Sequence, residues 1–183
     1  MLEATTGYIQ QNSEKILNVI GSFFVEPFRN SESIWIVAPL LLVIFVMQLY
    51  WGYYRKEDVG WDTITANSLV LIFCSMDLLR FLTQGNAFSI NPLEHDSGIS
   101  FLVIMMLIFG LLMLFVNFFR KLPKFIAHKI SNVFSVNIMA YILVVIVYLG
   151  MSLDFATLIG SFIFFVFINT FFFLARKFVP SYY

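Results

Sequence analysis

The chain has 183 residues and a mean hydropathy of +0.88; 60% of its residues are apolar, only 12% are charged, and 11 basic side chains balance 11 acidic ones. Globular domains run roughly 45–50% apolar and about 25% charged, and a core of this size cannot hide so much apolar surface from water. The composition therefore excludes a water-soluble domain, and a net charge of zero gives no ground for a nucleic-acid partner; it points to an all-α integral membrane protein whose solvent is the lipid bilayer.

Residues 1–30 are expected to form an extracytoplasmic amphipathic helix. Over Thr5–Val25, the residues Ile9, Ile16, Ile20 and Phe23 recur at helical spacing, while Gln10, Gln11, Glu14, Lys15 and Asn18 take the other side. Pro27 is expected to end this helix. Its charges are mixed rather than strongly basic, which favours packing on protein or lodging in the headgroup plane over recognition of anionic lipid. The first long apolar run begins only at Ile34, unlike a cleavable signal, so that run is expected to insert and be retained.

Residues 31–183 are expected to form a transmembrane domain, a five-helix bundle with spans at about 34–54, 62–84, 99–119, 124–150 and 153–178. In the first, Trp35 and Trp51 bracket the apolar run, about 24 Å apart along a helix, a fitting separation for two interfacial belts. Pro39 sits in the first turns, where it disturbs the helix least. Tyr50, Trp51, Tyr53 and Tyr54 form an aromatic collar ahead of Arg55 and Lys56.

The second span carries the most informative residues. Thr63, Asn67, Cys74 and Asp77 fall within an arc of roughly 80° at 100° per residue, and Arg80 lies one turn beyond Asp77, at the spacing of an i,i+3 pair. Ionisable groups at membrane depth are tolerated only where protein, water or a partner charge receives them, so this helix is expected to face a bundle interior. Cys74 is the single cysteine; it excludes an internal disulfide and reads as a small packing residue.

Residues 85–98 read as the longest polar loop, with Glu94, His95 and Asp96 clustered in it. The third span is featureless except for Gly110, which suits a close helix contact, and Asn117 near its end. In the fourth, Lys124, His128, Ser131, Asn132 and Ser135 share an arc of about 100°, so its first part is either interfacial or faces a wet vestibule. In the last span Asp154 is placed to cap the start. Ala156 with Gly160, and Thr157 with Ser161, are small residues four apart that admit another helix.

Cations follow the first, third and fifth spans: Arg55, Lys56, Arg120, Lys121, Lys124, Lys129, Arg176 and Lys177. By the positive-inside rule the protein is expected in the cell membrane with its N-terminus outside and its C-terminus cytoplasmic. No catalytic constellation is legible: His95 and His128 fall at opposite membrane faces, and no metalloprotease, nucleophile-elbow or phosphate-loop motif is present. No cofactor, no metal site and no enzymatic activity are expected.

Two roles fit these features. One is a channel- or transporter-like role along a polar path made of Asn67, Asp77, Arg80, His128, Ser131, Asn132 and Ser135, in a homo-oligomer because five spans enclose no wide pore. The other is a non-catalytic subunit or scaffold of a larger membrane complex, joined to partner membrane subunits through the small-residue face at Ala156, Gly160 and Ser161. Asp77 and Arg80 themselves fit either a gate or an intrahelical pair that sets helix depth.

Overall fold

The computed structural model describes residues 2–54, 60–83, 97–123, 126–127 and 132–180. Among them all regular structure is helical: α1 (Leu2–Arg29), α2 (Ile34–Tyr53), α3 (Trp61–Leu82), α4 (Ser97–Phe118), α5 (Val133–Tyr148) and α6 (Phe155–Phe178). By length and composition α2, α3, α4 and α6 are the four helices fit to cross a bilayer. Their boundaries lie within two residues of the spans read from the sequence.

The expected span at 124–150 is represented by a shorter element. α5 has 16 residues, about 24 Å of helix, less than the roughly 30 Å of a hydrocarbon core. Lys124, His128, Lys129 and Ser131 lie outside the described residues, as do Arg55, Lys56, Glu94, His95 and Asp96.

α5 is nevertheless the centre of the molecule. From Val136 to Tyr148 every side chain is buried except the exposed Met139 and the half-buried Leu143. A helix apolar on every side needs a surrounding of its own kind, and α1, α2, α3 and α6 all pack on it. It stops at Gly150, whose φ of 58° is open to a residue without Cβ, and the Met151 N–H closes the end on the Ile146 carbonyl at 3.0 Å. α4 ends the same way without glycine: Arg120 has φ 50° and Lys121 donates to the Val116 carbonyl at 3.0 Å.

α4 packs chiefly on α3. Gly110 makes the approach possible, since a Cβ there would stand 3.0 Å from Ile72 and 3.2 Å from Leu71. The rest of α4 shows Phe101, Leu112, Phe115 and Phe118 to the surroundings, as α2 shows Leu42 and Phe45 and α6 shows Phe162 and Phe171. Apolar exposure on this scale marks a contact with something other than water.

α1 corrects the sequence reading. It runs through Pro27 to Arg29 instead of ending there. A proline inside a helix leaves the carbonyl four residues earlier without its N–H donor. That carbonyl belongs to Phe23, and the Tyr141 hydroxyl of α5 donates to it at 2.5 Å. The helix also packs on this chain's own bundle. Val19 fills the space over Gly160, where a Cβ would meet it at 2.7 Å, and Phe23 and Phe24 lie against Phe164 with ring centres 4.9 and 5.1 Å away. The small-residue face of α6 is thus occupied from within. Lys15 stands near Asp154, which caps α6 by accepting the Thr157 N–H at 2.8 Å. That backbone N–H first, then the Thr157 hydroxyl and Lys15, hold the Asp154 carboxyl below its usual value.

The helices sort into two ends. At one end Trp35 of α2, Arg80 of α3 and Tyr148 of α5 come together. The opposite ends of α2 and α6 meet through Gly52 and Val179, and Arg176 lies 5.2 Å over the Trp51 ring while donating to Gln48. Likewise Arg120, after α4, lies 5.9 Å over the Trp61 ring at the start of α3. α3 and α5 therefore run in one direction and α2 in the other.

Candidate functional site

α2 and α3 pack on α5 rather than on each other. The space left between them is a cleft of about 900 Å³ at the Trp35 end. One wall is α2, through Trp35, Ile36, Pro39, Leu40 and Val43; the other is α3, through Val70, Phe73 and Cys74. The polar side chains among its described lining residues are Glu32, Asp77, Arg80 and Tyr148.

Helical spacing makes the core of this group. Arg80, one turn after Asp77, donates to Oδ1 at 2.7 Å, the i,i+3 pairing read from the sequence. The second carboxylate oxygen accepts a 2.7 Å hydrogen bond from the hydroxyl of Tyr148, the last residue of α5. The Tyr148 ring is held by Phe81, with ring centres 4.3 Å apart. Both oxygens of Asp77 are engaged, and its side chain is 25% exposed against 71% for Arg80. The guanidinium therefore reaches outward from an anchored carboxylate.

Glu32 and Trp35 complete the mouth. Glu32 lies in the turn between α1 and α2, where its backbone N–H is fixed by the Asn30 side chain at 2.9 Å. Trp35 is 84% exposed, the exposure expected of an interfacial ring and of a ring available to a ligand. Pro39, one turn on, has no N–H, so the Trp35 carbonyl lacks its ordinary helical donor. Among the described lining residues, acceptors thus outnumber charged donors.

The polar residues singled out in the sequence separate into different settings. Asp77 and Arg80 line the cleft. Asn67 is buried, 4% exposed, and does not reach it. Ser135 donates to Asn169 of α6 at 3.1 Å, and Asn169 donates in turn to the Phe165 carbonyl at 2.8 Å, a bridge between two helices rather than a wet wall. Asn132 precedes α5 and its carbonyl accepts the first helical N–H, from Val136. Ala156 is buried, Gly160 lies under Val19, and the Ser161 hydroxyl is buried without a hydrogen-bond partner among the described residues.

Much of the polarity of α3 is consumed locally. Thr65, Ser68, Ser75 and Thr83 each donate to the carbonyl four residues back. Ser68 also accepts from Asn117 of α4 at 3.2 Å. Asn137 differs from all of these: it is fully buried on α5, and among the described residues neither its amide nitrogen nor its oxygen has a hydrogen-bond partner.

Sequence reasoning missed Glu32, Tyr148 and Asn137 and read Trp35 only as a belt residue. A phenol closing an otherwise hydrocarbon helix was the available signal for Tyr148, since a buried Tyr hydroxyl needs a partner. Among the described residues no three His, Cys, Asp or Glu side chains are grouped.

A scan of the chain against protein-family models gives no match, and searches of curated proteins and of solved structures give none. The fold and cleft therefore define a class by themselves: among the described residues, an all-α protein of membrane-type helices with a short, largely buried central helix and a cleft that is polar at one end.

Proposed function

We propose that this is a multi-pass cell-membrane protein with a transport-type role, and that it draws an amphiphile sideways from the bilayer into the α2–α3 cleft. The cleft carries the reading: walls of mostly apolar side chains lead to the clamped Asp77–Arg80–Tyr148 group. Mostly apolar concavities with a few converging polar groups are the usual form of a small-molecule site. Asn137 supports a polar route beyond the cleft, because a buried carboxamide with no partner among the described residues is costly and offers its hydrogen bonds to a passing polar group.

Five crossings fit the alternating helix directions, with α5 as the fourth. We assign the end carrying Arg120, Arg176 and Lys177 to the cytoplasm by the positive-inside rule, which puts the cleft in the outer leaflet. The small-residue face of α6 is filled by α1, so it no longer favours a scaffold role.

The test is transbilayer movement of fluorescently tailed phospholipids in liposomes, read by dithionite quenching. Wild-type protein is expected to accelerate exchange, and Asp77→Asn and Tyr148→Phe to slow it several-fold. Exchange no faster than in empty liposomes would remove the transport reading.

A further inference from the structure

The cleft has a charge pattern as well as a shape. Asp77 and Arg80 neutralise each other through a 2.7 Å ion pair, which leaves the Glu32 carboxylate as the excess charge among the described lining residues. The exposed Trp35 ring, 84% accessible, and the Phe73 ring, 66% accessible, line the same cleft. The Trp35 carbonyl, deprived of a helical donor by Pro39, adds another acceptor. A carboxylate beside aromatic faces is the chemistry that receives a substituted ammonium, by direct attraction and by the cation–π effect. The free part of the Arg80 guanidinium, on the far side of its bond to Asp77, is placed to meet an anion carried next to that ammonium.

We propose that the cleft selects amphiphiles bearing a substituted ammonium headgroup, with the ammonium held at Glu32 and Trp35 and the hydrocarbon chain laid between Val43 and Val70. This rests on the reading of the cleft as an amphiphile site. Its volume of about 900 Å³ lies near the upper end of ordinary small-molecule pockets, roughly 300–1,000 Å³, enough for a headgroup and part of one chain. An anionic headgroup that carries no ammonium meets Glu32 unfavourably, and only the outer part of the Arg80 guanidinium offsets it. Both zwitterionic phospholipids and simple cationic lipids carry the required ammonium, and they differ in whether a phosphate accompanies it.

The experiment uses the full chain with Trp51→Phe and Trp61→Phe, which leaves Trp35 as the single tryptophan. The protein is reconstituted in bilayers containing chain-brominated phosphatidylcholine, phosphatidylglycerol or a trimethylammonium-propane lipid, and quenching of Trp35 reports occupancy. Ammonium-bearing lipids are expected to be preferred about tenfold over phosphatidylglycerol, and Glu32→Gln to reduce that preference to less than about twofold. Arg80→Gln is expected to weaken phosphatidylcholine alone if the phosphate is engaged, and neither lipid if the ammonium suffices; each result identifies the source while keeping the headgroup assignment. No preference in the parent protein, or a preference that survives Glu32→Gln, overturns the headgroup assignment. Val70→Phe separates this from the cleft itself: it should abolish selective quenching by every lipid, and a pattern unchanged by it would remove the cleft as an amphiphile site altogether. Glu32 is exposed in a turn, and monodisperse elution of each variant confirms that it has folded.

Discussion

The Tyr141 hydroxyl donates a 2.5 Å hydrogen bond to the Phe23 carbonyl, the oxygen that Pro27 leaves without a helical donor. One side chain of the central helix thus completes the backbone of α1 and ties it to the bundle. Removing the hydroxyl leaves a buried carbonyl unsatisfied, at a cost of about 1–3 kcal/mol. Tyr141→Phe is expected to lower thermal stability in detergent by that amount. Pro27→Ala restores an N–H, so the double variant should lose less than Tyr141→Phe alone relative to its own parent. Strict additivity in the cycle would disprove the substitution of one donor for the other.

Tyr148 and Asp77 form the corresponding link at the cleft. Tyr148→Phe removes a charge-assisted hydrogen bond, worth about 1.5–3 kcal/mol where the carboxylate cannot turn to water. With Asp77 partly exposed, the loss is expected at the lower end of that range. Asp77→Asn keeps an acceptor for the tyrosine and should cost less in stability, while still impairing lipid exchange. Thermal unfolding and the exchange assay, run on the same preparations, separate the two effects.

Asn137 should show the opposite balance. Replacing a buried carboxamide that has no partner among the described residues by an apolar side chain of similar size removes a desolvation cost of about 1–3 kcal/mol. Asn137→Leu is expected to raise the unfolding temperature and slow exchange together. A stabilised variant with unchanged exchange would confine the polar route to the cleft.

The contact of Val19 with Gly160 predicts how α1 is held. A leucine at 160 has no room, because even a Cβ would approach Val19 at 2.7 Å, and overpacking of this kind costs about 1–3 kcal/mol. Gly160→Leu is expected to loosen α1, read as faster limited proteolysis within residues 12–29. Combining Gly160→Ala with Val19→Ala should restore resistance.

Asp154 supplies the pH dependence. Its carboxyl is held below its ordinary value of 3.8, chiefly by the Thr157 N–H. The ionised cap therefore stabilises fully above that ordinary value and is lost as pH falls through the lower folded one. Asp154→Ala is expected to cost about 1 kcal/mol at pH 7. The gap from wild type should close progressively below about pH 4, the window set by the ordinary value of an aspartate. Unfolding curves of both proteins between pH 7 and pH 2 check the direction.

The residue pattern located α2, α3, α4 and α6 closely, because twenty or so apolar residues in sequence have few other solutions. It paired Asp77 with Arg80, since i,i+3 neighbours meet on any helix. It did not place Tyr148 with Asp77 or Tyr141 with Phe23, because those contacts join residues 71 and 118 positions apart. Pro27 was misread for the same reason: whether a proline ends a helix depends on whether something distant satisfies the carbonyl it orphans. The polar path read from the second and fourth spans was split by packing, Ser135 turning to Asn169 while Asp77 lines the cleft.

Composition and periodicity alone determined that this protein is helical and made for an apolar solvent, and where most of its long helices begin and end. They left α4 and the stretch of α5 beyond Asn137 without a face that tells core from periphery. Tertiary structure decided that α5 is enclosed by four helices while α4 turns Phe101, Leu112 and Phe115 outward. It also decided that α2 and α3 stand apart far enough to leave a cleft. Burial in protein and exposure to lipid demand the same side chains, so only the arrangement of neighbours tells a core helix from a peripheral one.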